Sequence, residues 1–389
     1  MIMSIPAIGG GPVTLAVLML QVPMASQAFA QSAAAVRPLF GATHAYDSNL
    51  FSSPDRPQGY FVMRVTPGVE AQRRSPVMDL LGRYTVDFEH LARPSTMTAA
   101  VSGQAAVAQM RYQASRRAAA SVDAAFTRTR TPSGLSTVPG LALGRLTAER
   151  LDVHPKFVRN LDGLMSGTVE YTFMRDRADR VGQTISHRAA VGVDRQMSRR
   201  DVVGLTYDLQ RMTFDAAEDR STHRLRGAWA RPITRLTNLS VHAGAASTGR
   251  MTTPEIEASV GHRLRSADVA MTYARTQTTI LGFAGVMDTE SLAAAGTLQP
   301  QRGLVLRLMP AVSRIRQGRD RMDAWRLGFD VSRRVHRGDV RVSYEASAQR
   351  GALSGPVSVG SVLRHVAQVA FTLSASEASC ELCNMQQEP

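Results

Sequence analysis

The sequence predicts an all-β protein, an antiparallel transmembrane β-barrel of about 16 strands within a range of roughly 14 to 18. Three observations carry that reading. Apolar residues recur at period two over most of the chain, where helices would show period 3.6. The alternating runs last roughly 11–15 residues, against about 5–6 in an ordinary sandwich, which is long enough to cross a bilayer at a tilt. The chain also opens on an export signal.

Residues 1–30 contain no charged side chain. Val13 to Leu20 (VTLAVLML) form a short apolar core, and small residues follow Pro23 up to Ala28-Phe29-Ala30, an A-x-A cleavage pattern with Gln31 next. No Lys or Arg stands before that core, and Gly9-Gly10-Gly11-Pro12 argues against a buried helix. Residues 31–58 read as a periplasmic leader, 59–374 as an outer-membrane barrel and 375–389 as a polar tail. An exported chain folds in an oxidising compartment, consistent with two cysteines in total, both in the tail.

Within the barrel, Val203, Leu205, Tyr207 and Leu209 share one face of their run, opposite Gly204, Thr206, Asp208 and Gln210. Trp325, Leu327, Phe329 and Val331 oppose Arg326, Gly328, Asp330, Ser332 and Arg334. Short polar turns separate such runs, as at Met197-Ser198-Arg199 and Arg337-Gly338-Asp339. A bilayer admits strands only as a closed barrel, because every backbone N–H and C=O must find a partner. Counting run starts from residue 59 gives the figure of about 16. On that count the two longest connections, 131–145 and 282–300, follow the fourth and twelfth strands and fall at the periplasmic end, where connections are normally short. Aromatic girdle positions are Phe61, Tyr84, Phe88, Tyr207, Phe214, Trp229, Tyr273, Trp325 and Phe371.

The chain is basic, with 46 Lys+Arg against 32 Asp+Glu, a formal charge of +14, and Lys156 as its only lysine. The arginines are dispersed and accompanied by acids, as Arg83 is by Asp87 and Arg326 by Asp330, without the clustered basic face of a nucleic-acid binder. Nucleic acid is therefore not an expected partner.

Chemistry-bearing motifs are absent. The nine histidines are isolated, so no metal site is expected, and no GxSxG elbow or phosphate loop occurs. His242, His262 and His365 are the only histidines considered for a hydrolase, and nothing in the sequence places a serine beside them. Cys380-Glu381-Leu382-Cys383 lies in the polar tail with no helix after it and reads as a tail disulfide or two inert thiols. The chain is expected to be a non-enzyme without a cofactor.

The segment Tyr46-Asp47-Ser48-Asn49-Leu50-Phe51, followed by Arg64-Val65-Thr66-Pro67-Gly68-Val69-Glu70, resembles the opening of the β-barrel porin-2 family; Phe126 to Ser133 is similar to it as well. In that family the first segment precedes a strand ending in (Ser/Thr)-Pro-Gly. The resemblance implies a Gram-negative outer-membrane barrel, whose relatives often accompany exopolysaccharide export systems. Its expected partners are outer-membrane lipid, the barrel assembly machinery and polysaccharide-export components. Read locally, Asp47, Ser48 and Asn49 are turn formers that fix the entry into the barrel.

A charged side chain facing lipid costs about 2–4 kcal/mol at the bilayer midplane, so the charged face must look into the lumen. Candidate pore-lining residues are Arg83, Asp87, Arg188, Asp194, Arg307, Arg326, Asp330, Arg341 and Glu345. The function expected is a porin-like channel with a modest anion preference; the alternatives are an anchoring barrel without an open pore, an exported soluble β-protein or an outer-membrane hydrolase. The two faces are separable by labelling. Cysteines placed at Leu205 or Leu327 should react only with lipophilic reagents, and cysteines at Thr206 or Ser332 with small water-soluble maleimides. The reverse pattern would make these strands the walls of a soluble sandwich.

Overall fold

Period-two alternation gives each strand an apolar and a polar face, and in a computed structural model of the chain these strands close into one antiparallel barrel. The structure describes residues 33–93, 96–131, 135–136, 138–141, 143–179, 181–215, 217–249, 251–281, 283, 285–336, 338–353 and 361–374. Residues 1–30, read above as an export signal, and residues 375–389 with both cysteines lie outside the described residues.

The strands are β1 (Ala33–Asp47), β2 (Tyr60–Arg74), β3 (Met78–Arg93), β4 (Thr96–Ser115), β5 (Ala118–Thr129), β6 (Ala148–Asn160), β7 (Met165–Ala178), β8 (Gly182–Gln196) and β9 (Val202–Phe214). The ring continues through β10 (Arg220–Pro232), β11 (Thr237–Thr248), β12 (Met251–Arg263), β13 (Ala267–Thr278) and β14 (Met287–Gln301). It ends with β15 (Leu304–Gln317), β16 (Asp320–Val335), β17 (Gly338–Ala352) and β18 (Val362–Ser374). Each strand pairs with its sequence neighbour, and β1 pairs with both β2 and β18, so no sheet edge is left open.

The count is 18, at the upper end of the expected range. The two additional strands are β1, inside the stretch read as a leader, and β14, inside the connection read as 282–300. Both are alanine-rich (AAAVRPLFGATHAYD and MDTESLAAAGTLQPQ), so side-chain contrast between their faces is weak and cross-strand partners decide their state. Including them corrects the polarity. The long connections 48–59, 130–147, 279–286 and 353–361 all follow odd-numbered strands and share one rim. Even-numbered strands end in short hairpins such as 116–117 and 302–303.

The convex face carries the large exposed apolar residues, among them Leu205, Val191 and Leu225, whose exposures of 53–56% would be anomalous on a water-soluble surface. Of the expected girdle, Phe214 departs: it stands on the inner face, 6% exposed, against the 279–283 segment. Its alternation partners Met212 and Asp208 are buried with it, so the period was right and the assigned face was not. Histidine contributes to the outer face as well. Tyr171, Tyr207 and Tyr344 each meet the Nδ1 of a diagonal cross-strand histidine (His187, His223 and His365) at 2.7–2.8 Å. Each pair gives a lipid-facing phenol a hydrogen-bond partner where water is scarce.

The seam between β1 and β18 is fastened by the Tyr46–Phe51 segment. Tyr46, next to last in β1, stands on the convex face, while Asp47 (3% exposed) points inward and takes the Arg364 guanidinium of β18 through Nε at 3.0 and 3.1 Å and through Nη2. Ser48 exchanges main-chain and side-chain bonds with His365. Asn49, 1% exposed, gives its N–H to Asp47 Oδ1 and brackets Ser53 with both amide atoms. Phe51 packs edge-on against Tyr60 at 5.4 Å. The Thr66-Pro67-Gly68 segment lies in the middle of β2 and does not end it. A Cβ at Gly68 would stand 2.6 Å from the Tyr84 carbonyl oxygen, so that position needs glycine for the close approach of β3.

Replacing Asp47 by alanine removes the carboxylate that the buried Arg364 guanidinium grips at the seam. The cost is about 3–5 kcal/mol. Heat-modifiable migration on gels should then collapse at a clearly lower temperature than in the wild type, while Asp123→Ala, at an exposed pair, should leave it nearly unchanged.

Candidate functional site: the lumen and its constriction

Inner-face residues follow directly from the register. All nine pore-lining candidates stand on the concave face. Arg83 meets Glu70 at 2.9 Å, and Asp87 accepts from Thr66 Oγ1 at 2.7 Å. Arg188 reaches Asp208 at 3.1 Å, and Asp194 folds over Gly204, its cross-ladder partner. Arg307 lies 3.8 Å from Asp330 and Arg326 3.9 Å from Glu345, while Arg341 faces Ser332 across the ladder. The structure does not gather them in one place; they line the wall in paired steps around the ring.

The interior of the long-loop rim is built from connections, where no alternation exists to be read. The 130–147 connection folds inward and crosses to the far wall. Its Val138, Leu141 and Leu143 join Ile280 and Phe283 of the 279–286 connection in one apolar cluster with Met287, Ile315, Met322 and Leu353. Gly140 lies flat against the inside of β16, at φ +82°, where a Cβ would stand 2.9 Å from the Trp325 carbonyl. From the other side, Leu281 packs on Ala148 of β6 and Ala178 of β7. Two chords of chain thus span the lumen near one rim.

Charged groups tie the 130–147 chord to the wall, and others brace the wall itself. Glu89 of β3 is buried and accepts from Arg64 Nη2 at 3.0 Å and from Arg145, a residue of the crossing connection. Arg150 grips Asp176 bidentately, at 2.7 Å in both bonds, and donates its remaining amine to the Leu135 carbonyl at 2.7 Å. Asp208 is fully buried and accepts from Arg188, Arg224 and Arg226 at 3.1–3.2 Å. Arg224 is completed by Glu255 at 3.1 Å and Gln210 at 2.6 Å. The arginine excess at Asp208 keeps that carboxylate satisfied and leaves a cationic surface toward the lumen. Alternation would have placed Asp208, Arg224, Arg150 and Asp176 inward; Arg145 sits in a connection, where no period exists to read.

Two of the three hydrolase-candidate histidines hold hydrogen bonds on the outer face. His262 Nδ1 pairs with Thr237 Oγ1 at 2.9 Å, His365 with Tyr344, and His242 lies across the ladder from Glu257. Among the described residues no group of three metal-ligating side chains occurs.

No family model matches the chain, and no curated protein matches it. Solved structures do. OccK5 (OpdH) of Pseudomonas aeruginosa matches with a TM-score of 0.47 and 9% identity, covering 88% of this chain and 98% of its own. OccK7 (OpdD) of the same organism gives 0.48 and 12%, over 90% and 100%. OccAB4 of Acinetobacter baumannii gives 0.46 and 7%, over 87% and 98%.

Loss of the Glu89 anchor should free the crossing connection. With Cys380 and Cys383 replaced by serine, a cysteine at Val138 should be protected from water-soluble maleimide. In a Glu89→Ala background its labelling should speed up by about tenfold or more, the equivalent of one charge-assisted hydrogen bond. Equal labelling in both backgrounds would show that the apolar cluster alone holds the chord.

Proposed function

We propose that the protein is a porin-like channel of the Gram-negative outer membrane. The observation that supports this reading best is the inner wall: charged and polar side chains line it from the short-hairpin mouth to the two crossing connections, a surface with no use in a dry interior. Mixed arginine and carboxylate walls order water and screen solutes by polarity. Acids accompany most arginines, so selectivity is a modest anion preference, strongest at low salt because pairs and mobile ions screen the field beyond about 8–10 Å. Arginine keeps its charge throughout the neutral range, so the preference is independent of pH there. Association with polysaccharide export, and delivery by the barrel assembly machinery, rest on the resemblance over residues 44–70.

A second reading, an anchoring barrel without an open pore, is favoured by the apolar cluster that the two connections build inside the long-loop rim. Planar-bilayer recording of the refolded chain separates the two. Discrete conductance steps support the channel; their absence, with heat-modifiable migration intact, leaves the anchor. In a salt gradient the wild type should show a reversal potential on the anion side, and Arg326→Glu with Arg341→Glu should move it to the cation side. A cation preference in the wild type would overturn the assignment of those arginines to the conducting path.

A further inference from the structure

The protein's positive charge is not evenly placed, and its uneven part faces outward. Each of the eight short connections carries an arginine in the turn or within two residues of it, as at Arg117, Arg159, Arg199, Arg235, Arg265 and Arg302. Within the same window the acids are Asp79, Asp162, Asp201, Asp268 and Asp339, and the turns themselves occupy Asp162 and Asp201. Asp162 accepts the N–H groups of Leu164 and Met165 at 2.7 Å. Asp201 accepts from Ser198 Oγ at 2.6 Å and Trp229 Nε1 at 3.2 Å, bonds that, with Arg231 nearby, hold its carboxyl below the usual range. The opposite rim mixes signs, with Asp215, Glu218 and Asp219 in one connection alone.

Orientation separates two uses of this charge. Arginines of the rim that point into the lumen have acids: Arg74 has Asp79, Arg263 has Asp268 and Arg334 has Asp339, at 3.2–4.0 Å. Of those that point outward, Arg231 has Asp201 at 3.6 Å, while Arg159, Arg195 and Arg333 are exposed and each follows an apolar outward residue, Phe157, Val193 and Val331. The turns add exposed apolar side chains: Val77, Leu164, Met197, Ile233, Leu264 and Val335 are 43–63% exposed. Apolar groups at the tip with cations beside them describe a surface seated in a headgroup layer. A surface for soluble anions at the pore mouth would put its unpaired cations inward and its tips in water.

We infer that the short-hairpin rim is a lipid-binding collar that gathers anionic phospholipid headgroups around the barrel in the leaflet it faces. The phosphates are the counter-ions of the outward arginines, and the exposed turn side chains rest among the upper acyl carbons. The inference rests on the transmembrane placement and is independent of whether the lumen conducts.

The full-length chain is refolded into vesicles of phosphatidylcholine with a minority of phosphatidylglycerol, extracted gently, and the lipids that stay bound are quantified. The retained lipid should be enriched in phosphatidylglycerol by roughly fivefold over the bilayer, falling toward none in high salt. Arg159→Gln, Arg195→Gln and Arg333→Gln together should abolish the enrichment. Arg263→Gln with Arg334→Gln, which removes the same kind of charge from the lumen side, should preserve it. Retention in proportion to bilayer composition by the wild type overturns the collar, and that measurement needs no variant to fold. So does equal loss in the two variants, or capture of soluble polyglutamate with no lipid enrichment, which would assign the rim to an acidic macromolecule. A barrel that enriches the lipid but never conducts leaves the collar standing and removes only the channel.

Discussion

Everything in this molecule follows from the requirement that no backbone N–H or C=O be left unpaired in a medium without water. That requirement makes the joint between β1 and β18 the critical one, since all other pairings arise between strands already adjacent in sequence. Long-range closure is the entropically expensive contact, and here the chain places a cluster of buried and half-buried, directional side-chain bonds. Asp47 with Arg364, Ser48 with His365, and Asn49 bridging to Ser53 give the seam directional bonds on both sides of the ladder's end. The resemblance carried by Tyr46 to Phe51 thus has a physical content: it is the clasp of the ring.

Much of the barrel was legible because a bilayer imposes a strict two-faced pattern on each strand. All sixteen strand starts read from the alternating runs correspond to strands in the structure. The inward candidates stand inward because parity alone decides them. Legibility failed where contrast failed. β1 and β14 are built largely of alanine and polar residues, so their membership is decided by the neighbours they pair with. It failed again in the 130–147 connection, whose Val138, Leu141 and Leu143 are ordinary apolar residues in an aperiodic stretch. Nothing local states that they turn back into the ring. Phe214 was misplaced for a related reason: an aromatic near a strand end fits a girdle equally well as a lid over buried chain.

The wall divides into two electrostatic regimes. Near the crossing connections, ion pairs are short, buried and multiply bonded, as at Glu89 with Arg145 and Asp176 with Arg150, and they hold chain in place. Farther along the wall, pairs such as Arg307 with Asp330 and Arg326 with Glu345 stand 3.8–3.9 Å apart and partly exposed, so they set a field and hold little. A lumen can thus be structural at one level and hydrated at another without a change of residue type.

The crossing connections also have a mechanical meaning. A closed sheet is a hoop, stiff along its strands and compliant against being flattened, because shear between neighbouring strands changes its cross-section at little cost in hydrogen bonds. A chord from β5 to the inside of β16, and a second from β13 to β6 and β7, act as spokes fixed at both ends. They hold the outline of the hoop to one shape and transmit a squeeze on one wall to the opposite one. Lateral pressure from the surrounding bilayer would then act on the whole ring as one rigid frame.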